Sequence, residues 1–143
     1  MAEHRIIIDT DPGQDDAVAI LLALASPEID VLAITAVAGN VPLALTQTNA
    51  RKVCELAGRP DIPVHAGCAA PLSRSLVTAE HVHGKTGLDG VELPTPTMPL
   101  QDEHGVDAIL HILADAPAGT VTLCPLGPLT NIATARASNP KSP

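Results

Sequence analysis

Four carboxylates crowd into one short stretch near the start of the chain, Asp9-Thr10-Asp11-Pro12-Gly13-Gln14-Asp15-Asp16, with no Lys or Arg among them. Pro12-Gly13 predicts a tight turn that brings Asp11 back toward Asp15 and Asp16. Carboxylates held this close repel and raise one another's pKa. Two things relieve that: the positive end of a helix beginning near Asp15, or a bound divalent cation. Oxygen ligands partly supplied by a flexible turn suit Ca2+ or Mg2+, not a thiophilic metal. Farther along, Gly39-Asn40 offers an amide that can hydrogen-bond a hydroxyl, or serve only as a turn residue. Pro125-Leu126-Gly127-Pro128 exposes backbone carbonyls able to complete an oxygen-rich shell, and Thr130 or Asn131 behind it suits a helix cap. In His81-Val82-His83-Gly84, taken as extended, the two imidazoles face the same side. Contact of one of them with a substrate fits better than zinc, for which a third ligand is missing. His4, His65, His104 and His111 show no partner pattern.

These groups need elements to hold them. Short β-branched runs alternate with helical patterns, the mark of a parallel α/β sheet. Arg5 to Asp9 predicts a first strand, apolar enough to be buried on both faces. Asp15 to Ala25 predicts a helix, acidic in its first turn and apolar almost all round, hence packed inside. Asp30 to Val37 is a second strand. Pro42 opens a helix running to about Ala57, with Leu43, Gln47, Ala50, Cys54 and Ala57 near one stripe and Gly58 at the C-cap. Pro63 to Ala66 is a short third strand. Residues 67–104 hold Pro71, Pro94, Pro96 and Pro99 with Gly67, Gly84, Gly87 and Gly90. A loop this long in a compact domain is more often functional than idle. Val106, Ile109, Leu110 and Leu113 repeat at helical spacing, Thr120 to Cys124 is a fourth strand, and Gly127 to Ala137 is a turn leading into a helix. A breaker-rich loop, Ser138 to Pro143, follows. In such sheets the site lies at the carboxyl ends of the strands, where the acidic turn, Asn40 and the Gly127-Pro128 pair all fall.

Composition narrows the ligand. The 143 residues contain no Phe, Tyr or Trp, are 45% hydrophobic and 17% charged, and carry a net charge of −8. That is too apolar for disorder and the wrong sign for binding phosphate backbones. It lacks the rings on which single-stranded bases stack. The length fits one domain, or part of one. The longest apolar run, Ala17 to Ala25, is too short to span a membrane. Met1 to Arg5 leads straight into Ile6-Ile7-Ile8 and then Asp9, which is no signal peptide. Cys54, Cys68 and Cys124 form no CxxC and no zinc pattern, as expected of reduced thiols in a cytoplasmic protein.

Taken together, Asp9-Thr-Asp-Pro-Gly-Gln-Asp-Asp16, Ala36-Val-Ala-Gly-Asn40, His81-Val-His-Gly84 and Gly127-Pro-Leu-Thr-Asn-Ile-Ala133 resemble the inosine–uridine-type nucleoside hydrolases, in order and spacing, across essentially the whole chain. The resemblance implies a mostly parallel, Rossmann-like sheet and Ca2+-dependent hydrolysis of the N-glycosidic bond of ribonucleosides. It implies Asp11 and Asp16 as Ca2+ ligands, joined by the backbone carbonyl of Leu126. It implies Asp11 as general base, Asp15 and Asn40 as ribose contacts, and His83 near the base or leaving group. Asp9 would support the loop from behind. A ribonucleoside is the implied partner, with no nucleic acid and no membrane, and the full-length form is implied to be a homo-oligomer.

Members of that family are about twice as long. Residues 1–143 are therefore expected to be the N-terminal portion of a single domain, with the sheet incomplete at its C-terminus. By themselves they are expected to bind Ca2+ weakly, to fold poorly or associate, and to turn over little nucleoside. The missing aromatics then mark this portion as the ribose-and-calcium side of the pocket, the base-side contacts lying beyond Pro143. Two other readings compete. One is a truncated, non-catalytic remnant or binding fragment. The other is a haloacid-dehalogenase-like phosphatase, in which Asp9 and Asp11 exchange roles; that family expects Asp-Gly-Thr where this chain has Asp11-Pro-Gly.

Overall fold

The structure, a computed structural model, describes residues 3–139. The order is β1 (His4–Thr10), α1 (Gln14–Ala25), β2 (Ile29–Ala36), α2 (Leu43–Leu56), β3 (Val64–Ala66), α3 (Glu80–His83), α4 (Gly105–Asp115), β4 (Val121–Pro125) and α5 (Thr130–Ser138). The four strands form one parallel sheet in the order β3-β2-β1-β4. The expected α/β class and parallel sheet are borne out, with strand and helix limits shifted by one to three residues. Of the expected terminal loop, residues 140–143 lie outside the described residues.

Strand β1 is central in the sheet although first in the chain, and its isoleucines explain why. Side chains alternate across a strand. Ile6 and Ile8 enter one core with Ile20 and Ala23 of α1 and Ala50, Val53 and Cys54 of α2. Ile7 enters the opposite core with Val106 and Ile109 of α4 and Ala135 of α5. A strand apolar on both faces is stable only between two helical layers. Each fully buried isoleucine, such as Ile7, Ile20, Ile34 or Ile109, contributes on the order of 2 kcal/mol. A register shift opposite Ile6/Ile7 places Leu32 out of step with β1.

Three expectations are corrected. Helix α1 is not packed on all sides: Val18 and Leu22, one turn apart, are 65% and 68% exposed. The buried stripe of α2 is Thr46, Asn49, Ala50, Val53 and Cys54, rotated from the one expected through Leu43, Gln47 and Ala57. A buried polar Asn49 is tolerated there because its amide donates to the carbonyls of Pro12 (3.2 Å) and Thr86 (2.7 Å). The His81-Val82-His83 segment is the helical turn α3, not extended chain. Residues two apart on a helix do not share a face, so His81 is exposed while His83 is half-buried. Gly58 does close α2 with a left-handed φ of +70°.

Candidate active site

The sheet order reverses direction at β1. The chain leaves β1 toward β2 and β3 and later returns to the other side with β4, so the loops after β1 and β4 diverge and leave a crevice at their carboxyl ends. Asp11 sits there, 5% exposed. The backbone N–H of Asn40 donates to its Oδ2 at 2.8 Å, and the Asn40 side-chain Nδ2 donates to the Asp11 carbonyl at 2.9 Å. The Asn40 Oδ1 is left for a further partner. Two glycines pinch the carboxylate: a β-carbon on Gly39 would lie 2.1 Å from Oδ2, and one on Gly127 2.6 Å from Oδ1. No other residue type fits either position without moving Asp11.

Asp16, also 5% exposed, accepts from Thr10 Oγ1 (2.9 Å) and from the backbone N–H of Gly13 (3.2 Å). The second bond closes the acidic half of a capping box at the start of α1. Asp15 is exposed, yet its charge still acts on both Asp11 and Asp16. Leu126 donates its backbone N–H to the Asp9 carbonyl at 2.7 Å, which fixes its peptide beside the turn. Its side chain is 44% exposed.

Asp9 faces the other way. It is fully buried, its Oδ2 accepts from Thr35 Oγ1 (2.6 Å) and Asn131 Nδ2 (2.8 Å), and its Oδ1 has no hydrogen-bond partner. A carboxylate enclosed in this way cannot serve as the nucleophile that the phosphatase reading requires. Asn131 reaches farther, donating to the Ala36 carbonyl (3.1 Å) and accepting from the Cys68 N–H (2.7 Å). Neither Thr130 nor Asn131 caps α5; the N-cap is Leu129, without a side-chain bond. Thr35, Asn49 and Asn131 escaped the sequence reading as site supports. The available signal was a polar side chain inside an otherwise apolar strand or helix stripe, which must find a partner.

Burial, reinforced by the charges of Asp16 and Asp15 and only partly offset by the Asn40 N–H, pushes the Asp11 carboxyl from its ordinary 3.8 up to about 6. Burial also raises Asp9 and Asp16. No Lys or Arg is among the groups acting on Asp11. A raised acid stabilises the fold fully below its unfolded pKa and loses that contribution as pH rises through its folded pKa. Glu55, Asp61 and Asp89 are lowered by hydrogen bonds, so their contribution is lost only as pH falls below the ordinary carboxylate range. In the presence of EGTA, the melting temperature should therefore be higher at about pH 5.5 than at about pH 7.5. Asp11→Asn should flatten that difference; differential scanning fluorimetry at the two pH values measures both.

The donor set fits a hard cation. Asp11 and Asp16 offer oxygen donors, both destabilised as bare anions by burial, and the backbone of Gly127 lies against Asp11. Among the described residues no three His, Cys, Asp or Glu side chains converge as a metal cage. Among the described residues, further donors to such a cation would be carbonyls and hydroxyls, which Ca2+ accepts along with water.

The family model for inosine-uridine preferring nucleoside hydrolase matches residues 6–143. The chain belongs to this family. An uncharacterized protein of Schizosaccharomyces pombe is 54% identical over 137 residues, 96% of this chain and 44% of that protein. The pyrimidine-specific ribonucleoside hydrolase RihA of Photobacterium profundum is 53% identical over 128 residues, 90% of this chain and 41% of its own length. The purine-preferring ribonucleoside hydrolase of Gardnerella vaginalis superposes with a TM-score of 0.90 at 32% identity, over 96% of this chain and 44% of that one. The chain thus spans less than half the length of these relatives.

Proposed function

We propose that this site serves Ca2+-dependent hydrolysis of the N-glycosidic bond of ribonucleosides, giving ribose and free base. The observation that carries the reading is Asp11: a buried carboxyl pinched by Gly39 and Gly127, raised to about 6, beside Asp16 and without a basic partner acting on it. Such a group is poised both to ligate a hard cation and to take a proton. Asp11, Asp16 and the Leu126 carbonyl would hold the cation. When bound, Ca2+ supplies Lewis acidity to water and to the ribose diol.

Asp11 accepts the proton of the attacking water as the water oxygen bonds to C1′; the bond from C1′ to the base breaks, and the base leaves with its electron pair and takes a proton from solvent. The ribosyl group passes through an oxocarbenium-like state. The carboxylates of Asp11, Asp15 and Asp16 are placed to stabilise its positive charge. Asp15 and the Asn40 Oδ1 hydrogen-bond ribose hydroxyls, and His83 stands near the base or leaving group. Because 2-deoxyribose lacks one of the hydroxyls that these groups and the cation would meet, the site discriminates against it. A cytoplasmic location and a homo-oligomeric full-length form belong to the same proposal, as does low turnover by these 143 residues alone.

Calorimetric titration tests it. One Ca2+ should bind per chain, weakly, and ribose should bind only with Ca2+ present, while 2-deoxyribose should not. Ribose binding that is indifferent to Ca2+, or equal binding of the two sugars, would refute the proposal.

A further inference from the structure

Besides Asn49, which bridges the Pro12 and Thr86 carbonyls, a second side chain fastens the 83–89 segment to the acidic turn. Gln14, the first residue of α1, donates its Nε2 to the backbone carbonyls of His83 (3.4 Å) and Asp89 (3.3 Å). Its Oε1 lies 2.5 Å from His83 Nδ1. A carboxamide has one donor end and one acceptor end. Two carbonyls can be met only by the NH2 end, so the amide orientation is determined and its oxygen faces the imidazole. An oxygen acceptor at that distance requires the proton on Nδ1. The ring is held in place from its other side too. A β-carbon on Gly13 would sit 2.6 Å from Nδ1 and 2.7 Å from Cε1, so the imidazole lies directly against the backbone of the turn that carries Asp11 and Asp16.

We propose that Gln14 is a positioning residue that locks neutral His83 in the Nδ1–H tautomer, leaving Nε2 as a free acceptor for a ligand hydroxyl or N–H. His83 Nε2 has no hydrogen-bond partner among the described residues. An unconstrained imidazole prefers the opposite, Nε2–H form, so the latch changes what the ring can do: it accepts where it would otherwise donate. That the donor belongs to a nucleoside rests on the proposed function; the tautomer does not.

The test is long-range 1H–15N spectroscopy of the 15N-labelled chain in alkaline buffer, where imidazole is neutral, with the His83 signals assigned by their loss in His83→Gln. The wild type should show a protonated-type Nδ1 and an unprotonated Nε2. Gln14→Met, which keeps length but removes both polar ends, should move the pattern toward Nε2–H. Gln14→Glu, which retains the acceptor oxygen, should keep Nδ1–H. Gln14 is exposed, so circular dichroism should be unchanged in both variants. An Nε2–H pattern in the wild type overturns the proposal without any variant, and an unchanged pattern in Gln14→Met overturns it as well. Failure of ribose or Ca2+ to bind would leave the tautomer result intact and count only against the nucleoside reading.

Discussion

Asp11→Asn should reduce Ca2+ affinity by at least about 100-fold, beyond the 10–100-fold typical of residues that merely orient a ligand, without loosening the fold. The two halves of that result belong together. Asn keeps the shape of Asp and can still accept the Asn40 N–H, so the hydrogen bond at 2.8 Å survives. What disappears is the buried negative charge. Burial already holds the Asp11 carboxyl near 6, so at neutral pH its charge opposes folding unless a cation offsets it. In EGTA the variant should melt at the wild-type temperature or above it; in Ca2+ the wild type should gain stability and the variant should not, because a ligand stabilises only the state that binds it. Calorimetry with Ca2+ and paired melting curves check both halves. Lost binding accompanied by a large drop in melting temperature in EGTA would make Asp11 a structural residue instead.

Asn131→Leu should have the largest effect on stability, a loss of about 3–5 kcal/mol from buried groups stripped of partners. The side chain is fully buried and serves three clients at once: Asp9 Oδ2, the Ala36 carbonyl and the Cys68 N–H. Leucine is close in volume, so the cost is one of hydrogen bonding, not of a cavity. Two clients keep some support, since Thr35 still reaches Asp9 and the Gly67 N–H still reaches the Ala36 carbonyl. The Cys68 N–H is left without another acceptor among the described residues, and Asp9 already has one orphaned oxygen. In a chain of this size the melting temperature should fall by about 10 °C or more. Urea denaturation measures the free energy directly; a change under 1 kcal/mol would show that the three groups find other partners. The same substitution at exposed Asn139 should stay within about 0.5 kcal/mol.

Much of the architecture was legible in the sequence because it depends on period and punctuation. Ile6-Ile7-Ile8 can only be a strand between two layers, and Gly58 can only end a helix where it stands. The clustering of carboxylates in the acidic turn was legible too, since four of them stand close in the chain without a base. What was hidden is the direction in which each carboxylate points. Asp9 lies in β1 and Asp11 just past its end, two residues on, and composition cannot tell that Asp9 turns to Asn131 while Asp11 lies between two glycines. That depends on Asn131, 122 residues away, and on Gly127. His81 and His83 were misplaced for a related reason. A four-residue helical turn inside a proline- and glycine-rich loop leaves no periodic signature, and its position is set by Gln14 and Asn49 on other elements. The exposed face of α1 shows the opposite error: an all-apolar helix reads as buried when Val18 and Leu22 lie on the side away from both neighbours.

The central place of β1 governs the order in which the protein can take shape. During synthesis β1 emerges first, and β2 can pair with it at once. Its other edge, however, must wait for β4, and the Asp9–Asn131 bond closes a separation of 122 residues. At the usual 5–20 residues per second, that wait lasts about 6–25 seconds. Contacts of such long range close slowly because the loop entropy is spent before they form. For that interval an isoleucine-rich strand has an unpaired edge, the kind of surface on which nascent chains misassociate. The crevice around Asp11 needs Gly127 from the turn after β4, so the acidic turn acquires its working shape only after β4 has docked.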